Sequence, residues 1–356
     1  MTALRFRGPV LPDGEARDLY VVDGRVTLEP QAVAETAVEG WIVPGLVDAH
    51  CHIGLDAHGA VDEATTEKQA VDDREAGALL LRDCGSPADT RWVQDRDDLP
   101  RLIRCGRHLA RTRRYIRNYA YELEPEDLTT YVAQEAGAGD GWVKLVGDWI
   151  SRDEGDLAPS FPADTFAAAV ATAHEHGARV TAHCFGETVL PGLVEAGIDC
   201  IEHGTGLTTD LVEAMAAADT ALVPTVVQLN NFPEYAAQGE ARYPAYAAHM
   251  RDLHARRHET IMAAYDAGVS IYAGTDAGGV LPHGGIVDEV VELAAYGMPA
   301  EYALGAASWR AREWLGWNPA LDEGAPADFV VYPRNPLEDL AVLREPTAVV
   351  LRGQVM

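Results

Sequence analysis

Short apolar runs alternate with amphipathic segments along most of the chain. The runs have the length and composition of buried strands and occupy 41–47, 78–81, 102–105, 142–146, 179–183, 199–201, 221–226 and 270–273. Between or after them, apolar residues recur at helical spacing in 162–176, 187–196, 209–217, 246–267 and 285–296. Strands separated mostly by helices predict an α/β fold, with a parallel (β/α)8 TIM barrel favoured over an open doubly wound sheet.

The two ends of the chain have a different pattern. Residues 1–40 and 322–356 alternate apolar and polar positions, and turn signals occur at Asp13-Gly14 and Asp23-Gly24. This pattern is typical of short antiparallel strands. We therefore expect a small β-sheet (sandwich) domain built from both termini, with residues 1–43 and 318–356 as its two parts and residues 44–317 as the barrel.

Composition narrows the functional classes. The chain has 356 residues and a formal net charge of -28, which argues against binding nucleic acid or an anionic membrane surface. No apolar run approaches the roughly 18 residues that a membrane span needs, and the N-terminus lacks the apolar segment of a signal peptide. Five cysteines at irregular spacing favour reduced thiols. We expect a cytoplasmic protein.

Histidine and aspartate recur where the apolar runs end. His50 and His52 are two residues apart, so in a strand both imidazoles lie on one face and can chelate one metal ion. His183 and His203 each end a later run, and Asp276 follows the last run in a glycine-rich stretch. The C-terminal ends of barrel strands are where such folds carry their chemistry. These five residues predict a site for zinc or a similar divalent ion.

Lys144 is an unusual residue for its position, because it lies inside the apolar run 142–146. A buried lysine needs a partner or loses its charge. A neutral lysine amine can add carbon dioxide, and the resulting carbamate has two oxygens that can bridge two metal ions. The alternative is a lysine paired with an acid. Cys184 and Cys200 lie off the ligand-bearing faces and are not expected to bind metal.

These motifs together resemble the amidohydrolase superfamily. The resemblance is carried by Pro44-Gly45-x-x-Asp48-x-His50-x-His52, the strand lysine, the two strand-end histidines, Gly274-Thr275-Asp276 and the C-terminal Gly324-x-x-Ala327-Asp328 strand. Stretches around His183, His203 and Asp276 are most similar to the imidazolonepropionase-like and prolidase-like (Xaa-Pro or Xaa-Arg dipeptidase) branch. By this resemblance, His50, His52 and Asp276 bind the more buried metal and His183 and His203 the more exposed one. A carboxylated Lys144 and a hydroxide bridge the two ions.

Two stretches differ from relatives of that kind. Prolidase-like members usually have a histidine-glycine pair after the third strand, where this chain reads Gly106-Arg107-His108-Leu109. That difference weighs against peptidase activity. Deaminases of the superfamily often place an acid three residues after the fifth-strand histidine, where this chain has Gly186. That difference weighs against deamination.

Residues 101–121 contain seven arginines and no acidic residue, in a chain that is otherwise strongly acidic. One interpretation is a solvated surface that pairs with acids elsewhere. The other is that arginines of this segment hold a substrate carboxylate at the barrel mouth. The candidate substrate-binding residues are Arg107, Arg111, Arg113, Arg114 and Tyr115.

The resulting expectation is a metal-dependent hydrolase of C–N bonds. A metal-bound hydroxide would attack an amide, cyclic amide or dipeptide-like bond, and Asp276 would carry the proton to the leaving group. His283 is a candidate to hydrogen-bond the carbonyl or the tetrahedral intermediate. The expected cofactors are two divalent ions, most simply zinc, and carbon dioxide as the Lys144 carbamate. The expected partner is a small molecule, with a substrate carboxylate and a homo-oligomer as open options.

Two alternatives remain at this stage. A mononuclear deaminase or ring-opening imidazolonepropionase-like hydrolase would leave Lys144 uncarboxylated. A non-catalytic barrel subunit would lack turnover altogether.

Overall fold

The structure, a computed structural model, describes residues 3–32 and 38–356. Its strands are, in chain order, β1 (Leu4–Val10), β2 (Glu15–Val22), β3 (Arg25–Thr27), β4 (Val38–Glu39), β5 (Trp41–Pro44), β6 (Leu46–Cys51), β7 (Leu55–Asp56), β8 (Gly59–Ala60), β9 (Ala78–Asp83), β10 (Arg101–Arg104), β11 (Leu109–Arg111), β12 (Tyr121–Leu123), β13 (Trp142–Val146), β14 (Asp148–Ser151), β15 (Asp156–Pro159), β16 (Arg179–Cys184), β17 (Cys200–His203), β18 (Ala221–Val223), β19 (Phe329–Tyr332), β20 (Ala348–Leu351) and β21 (Gln354–Val355).

Helices cover most of the connections between these strands. They are α1 (Glu63–Glu75), α2 (Arg91–Gln94), α3 (Leu128–Ala138), α4 (Ala163–Glu175), α5 (Leu190–Glu195), α6 (Thr209–Ala218), α7 (Val226–Leu229), α8 (Phe232–Gly239), α9 (Pro244–Asp266), α10 (Ile286–Ala295), α11 (Ala300–Ala306) and α12 (Trp309–Trp314), with 3₁₀ turns at Pro125–Asp127 and Leu340–Arg344. None of the helices in the described ranges is both long and apolar enough to cross a bilayer.

Parallel strands form a TIM-barrel-like core. One ladder runs β10-β9-β6 and another runs β11-β13-β16-β17-β18. The segment 270–273 joins them, because Leu222 N donates to Ser270 O at 2.9 Å and Ala49 N donates to Ala273 O at 2.9 Å. No ladder links β10 to β11 within the described residues, so the ring of strands is not closed by a continuous ladder.

The strand boundaries differ from the sequence-based expectation in two places. The apolar run 41–47 is two strands, because β5 ends at Pro44 and β6 begins at Leu46. A Cβ on the intervening Gly45 would lie 2.6 Å from a Leu79 methyl carbon, so the chain passes too close to β9 for any side chain there. The run 221–226 ends early, because α7 begins at Val226.

Strands from both ends of the chain share one sheet, in the order β21-β20-β19-β5-β1-β2-β3, with β4 pairing to β1. The central β19 pairs antiparallel with both β5 and β20. Its buried face packs Phe329 edge-on against Phe6, with ring centroids 4.8 Å apart. This arrangement follows from alternating apolar positions that need a second layer to bury them. The exact domain boundaries at 43 and 318 stay a prediction.

Candidate metal centre and substrate cavity

Three of the predicted ligands meet at one end of the barrel-like core. His50 Nε2 lies 3.0 Å from Asp276 Oδ1, and His52 Nε2 lies 3.1 Å from the same oxygen. The two histidine Nε2 atoms are 3.3 Å apart. Ligand atoms of all three residues fall within 4.8 Å of one another. The i, i+2 spacing on β6 therefore places both imidazoles on one face, as the strand period requires.

Asp48 holds the two chain segments of this group together. Its buried carboxylate accepts hydrogen bonds from His50 N at 3.1 Å and Thr275 N at 3.0 Å. Thr275 Oγ1 donates to the second carboxylate oxygen at 2.6 Å. Burial raises the pKa of Asp48 to about 7. The Asp-x-His and Thr-Asp pairs in the sequence are thus one hydrogen-bonded unit that fixes His50 relative to Asp276.

Glycines beside Asp276 are required by close backbone approach. A Cβ on Gly274 would lie 2.6 Å from His50 Cβ, and a Cβ on Gly278 would lie 2.4 Å from His52 O. Asp276 itself has a φ of 58°, in the left-handed region that non-glycine residues rarely adopt. Such strain is typical of functional sites, and here it turns the carboxylate back over β6.

His183 and His203 form the second group. His183 Nδ1 lies 3.0 Å from His203 Nε2, and the other nitrogen of His203 lies 2.7 Å from Thr225 Oγ1. Thr225 is fixed in turn, because the next two amides, Val226 N and Val227 N, donate to the buried Glu289 at 2.9 and 2.8 Å. The ring centroids of His203 and His50 are 5.5 Å apart, so the two groups adjoin.

Lys144 is paired with an acid that the sequence-based reasoning did not select. Its ammonium contacts Glu202 in a fully buried ion pair, and Glu202 also accepts from Thr181 Oγ1 at 2.7 Å. Burial lowers the pKa of Lys144, but the Glu202 charge more than offsets this and the pKa is raised. Glu202 Oε1 lies 3.5 Å from His50 Nδ1, and Glu202, His50 and His203 form a second potential ligand group.

His50, His183, His203 and Asp276 are in the protonation states that a metal ion requires. Burial lowers the pKa of His50 to about 4 and that of His203 to about 3. Burial also holds the pKa of His183 well below its usual range. Although burial acts in the opposite sense on Asp276, hydrogen bonds with His50 and His52 hold the pKa of that carboxyl well below normal. Neutral imidazoles around an ionised carboxylate are ready to bind metal without releasing protons.

The donor set fits one or two divalent ions. His50 Nδ1 and His183 Nε2 are buried without a hydrogen-bond partner, which is costly unless another group is bound there. Imidazole nitrogens and carboxylate oxygens are the ligands that zinc accepts. Neither potential ligand group within the described residues contains a cysteine.

A cavity of about 420 Å³ opens beside these ligands. His52, His183 and Asp276 lie on its floor, and its walls come from β14, β15, the loop after β16, and α7 to α9. The wall residues are largely aromatic: Tyr115, Tyr119, Trp149, Phe185, Tyr235, Tyr243 and Tyr246. A volume of this size accommodates a small organic molecule.

Of the predicted substrate residues, only Tyr115 lines this cavity. Arg107 donates to Tyr119 O at 2.9 Å, and Arg111 pairs with Glu124 at 2.6 Å. Arg114 donates to Trp149 O and Ala158 O, which braces the β14–β15 hairpin. Arg113 is exposed. The structure thus gives three of the four arginines partners within the chain and places none in the cavity wall.

Two further histidines flank the site. His283 Nδ1 lies 2.8 Å from the buried Asp73, and His283 lines a neighbouring cavity rather than the main one. Its catalytic contact with substrate stays a prediction. His108, which the sequence-based reasoning passed over, is fully buried with both ring nitrogens unpartnered. It stacks on His52 with centroids 5.0 Å apart and lies 5.3 Å from Tyr115.

Comparison with known proteins agrees with this geometry. The sequence model of the Amidohydrolase family matches residues 150–356. An uncharacterized protein of Mycobacterium tuberculosis is 57% identical over 353 residues, covering 99% of this chain and 95% of that protein. The chain therefore belongs to the amidohydrolase family.

Solved structures show the same fold at lower sequence identity. A Xaa-Pro dipeptidase with bound methionine is similar with a TM-score of 0.84 and 21% identity, covering 100% of both chains. Aspergillus niger ochratoxinase is similar with a TM-score of 0.79 and 20% identity, covering 100% of this chain and 95% of that one. These similarities support a TIM-barrel-like α/β fold for the whole chain.

Proposed function

We propose that this member of the amidohydrolase family hydrolyses the C–N bond of a small amide at a binuclear metal site. One ion would be held by His50, His52 and Asp276, and the other by His183 and His203. The observation that carries the proposal is the convergence of these residues, from four separate segments, beside one cavity, which His52, His183 and Asp276 line. The overall reaction adds water across the amide, giving a carboxylate and an amine.

Bound divalent ions would supply an activated water and polarise the amide carbonyl. The protein's own contribution begins with Asp276. Its carboxylate is ionised, so it can accept a proton from the attacking water and deliver it to the leaving nitrogen. The left-handed backbone at Asp276 and the Asp48 hydrogen bonds fix where that proton is held.

His108 is a second candidate substrate contact, although it is fully buried and the cavity lining beside it is formed by His52 and Tyr115. It is neutral, because burial holds its pKa well below the usual range. A neutral imidazole with no partner of its own can donate one hydrogen bond to a substrate carbonyl without introducing charge. Its stacking on His52 fixes the ring beside the metal ligands.

Lys144 decides between the two forms of the site. As a carbamate it would bridge the ions, and the ion pair between the Lys144 ammonium and Glu202 would be lost. The observed ion pair favours a second candidate, a mononuclear site with Lys144 uncarboxylated, as in a deaminase or ring-opening hydrolase. The related dipeptidase, by its name, acts on a peptide bond, which supports amide hydrolysis as the first choice.

The test exploits the fact that Lys68 and Lys144 are the only lysines in the chain. Protein prepared with zinc and ¹³C-bicarbonate would be examined by elemental analysis and by carbon NMR. We expect about two metals per chain and one carbamate signal. Both should be reduced in Lys144→Ala and retained in Lys68→Ala, since Lys68 is an exposed residue paired only with Asp72.

Two other outcomes would redirect the proposal. One metal per chain with no carbamate, unchanged in Lys144→Ala, would favour the mononuclear candidate. Absence of metal binding together with no turnover of amides, lactones or amines would refute both.

A further inference from the structure

Seven aromatic residues contribute to the cavity wall. Ring centroids of Tyr115 and Trp149 are 4.9 Å apart, and those of Trp149 and Phe185 are 6.4 Å apart. Phe185 continues the wall through the buried Phe232 at 4.7 Å, which packs 6.4 Å from Tyr235. Aromatic faces arranged in this way bury an apolar or aromatic body and place its polar groups elsewhere.

One cationic side chain belongs to this wall. Arg242 is an exposed residue in the turn between α8 and α9 that also lines the cavity, and its guanidinium lies 5.0 Å from the centroid of the Tyr243 ring. Nearby arginines are paired: Arg251 with Glu240 and Arg256 with Glu187. Within the described ranges, the Arg242 guanidinium has no hydrogen bond or ion pair. In a chain of net charge -28, an unpaired guanidinium at the cavity is available to bind an anion.

Within the described residues, the same wall offers a substrate cation no free carboxylate. Asp276 is the only carboxylate among the described residues that line the cavity, and both His50 and His52 already contact it. Metal ions bound at the floor would add positive charge. A substrate ammonium group close to the scissile carbonyl would therefore be repelled without any free carboxylate to compensate it.

We propose that the site selects N-acylated amino acids over free dipeptides, with Arg242 binding the substrate carboxylate. The acyl group or side chain would be a large apolar or aromatic body packed on Trp149 and Phe185. This inference rests on the proposed amide hydrolysis and specifies its substrate. It moves the carboxylate-binding role from the arginines of residues 101–121 to a residue on the helical side of the cavity.

Three matched compounds test the two charge preferences separately. 3-Phenylpropionyl-leucine and phenylalanyl-leucine differ only in the α-ammonium group. 3-Phenylpropionyl-leucinamide lacks only the carboxylate charge. We expect kcat/KM for the first compound to exceed that for each of the others by roughly tenfold or more. Phenylalanyl-leucine adds the repulsion of its ammonium group, and the leucinamide loses the charge-assisted contact of its carboxylate with Arg242.

The variant Arg242→Gln identifies the residue responsible. It should lower kcat/KM for 3-phenylpropionyl-leucine by roughly tenfold, mainly by raising KM. The kcat/KM for 3-phenylpropionyl-leucinamide should be nearly unchanged. The matched control is Arg334→Gln. Arg334 is exposed on the surface between β19 and β20, so its loss should leave kcat/KM unchanged for both substrates. Equal losses on both substrates in Arg242→Gln, or a preference for phenylalanyl-leucine, would overturn the inference.

A binding measurement separates this inference from the proposed function. Quenching of tryptophan fluorescence can report binding, since Trp149 lines the cavity. If the metal-loaded enzyme hydrolyses none of the compounds, the proposed amide hydrolysis fails for this class. The inference about recognition would then stand if 3-phenylpropionyl-leucine binds the wild type more tightly than it binds Arg242→Gln, and would fall if the two proteins bind it equally.

Discussion

His249 joins three of the elements that wall the cavity, and its removal should loosen them in a pH-dependent way. It lies on α9, with Nδ1 3.0 Å from Asp156 on β15 and Nε2 2.9 Å from Glu187 in the loop after β16. Arg256 also contacts Glu187. The hydrogen bond with Glu187, which outweighs partial burial, raises the pKa of His249 to about 9. The perturbation is His249→Gln, which keeps a similar size and removes the charge.

The size of the effect follows from the pKa shift. A rise from 6.5 to about 9 corresponds to about 3.4 kcal/mol, at 1.36 kcal/mol for each pH unit. The side chain is 21% exposed and its partners are more so, and solvent screening reduces the value to about 1–2 kcal/mol. Because the folded pKa is raised, this stability is fully present below pH 6.5 and is lost as pH rises through about 9.

The assay is chemical denaturation of wild type and variant at about pH 6 and at about pH 9.5. We expect His249→Gln to be less stable by about 1–2 kcal/mol at the lower pH and by less than about 0.5 kcal/mol at the higher. His174→Gln is the matched control, since His174 has a single carboxylate partner, Asp199, and is more exposed. An equal loss for His249→Gln at both pH values would refute the charge-based explanation.

Three further predictions concern the metal centre. Thr225→Val removes the hydroxyl beside His203 Nδ1, so zinc affinity should fall by about tenfold. Competition with a chromophoric chelator measures this affinity, and an unchanged Kd would contradict the prediction. His108→Phe keeps the stacking on His52, so metal content should be unchanged while kcat/KM falls by about tenfold, and full activity would show that His108 only packs. Metal removal by chelation should lower Tm by about 5 °C or more and added zinc should restore it, whereas an unchanged Tm would count against a metal site.

The fold class and the clustering of the candidate ligands were accessible from sequence because they depend on regular geometry. Strand periodicity places His50 and His52 on one face, and the C-terminal ends of parallel strands meet at one edge of the core. The helix predicted for 246–267 is observed as α9, Pro244–Asp266. Such regularities are local, so they can be recognised without knowing which elements become neighbours.

Glu202 was missed because the same geometry fails at the end of β17. Adjacent residues of a regular strand face opposite sides, so a pattern that makes His203 a ligand places Glu202 on the other face, away from the metal. In the structure His203 has a φ of 64°, and both residues face His50. Arg242 was missed for a different reason. Its place in the wall depends on how α8 and α9 pack over the barrel, which sequence patterns do not indicate. The arginine-rich segment 101–121 was selected from its composition alone.

The carbamate and the metal ions should be coupled through charge. Although burial acts to raise the pKa of Glu202, the charges of Lys144 and Arg82 hold it well below normal, so Glu202 is anionic. Arg82 is itself buried over Trp142, 4.4 Å from the ring centroid, and it keeps its charge there because a guanidinium is not deprotonated in proteins. Carboxylation of Lys144 replaces a cation by an anion beside Glu202. Without added positive charge, two buried anions would lie in contact, which low-dielectric surroundings make costly.

Divalent ions at the histidines would provide that charge. We therefore expect the carbamate signal in zinc-loaded protein and no signal in metal-free protein given the same ¹³C-bicarbonate. Glu202→Gln removes the opposing anion, so it should allow some carbamate without metal. A signal of equal intensity in metal-free and zinc-loaded wild type would contradict the coupling. In that case the Lys144–Glu202 ion pair would be broken by carbon dioxide alone, and its strength in the folded protein would be much lower than its burial implies.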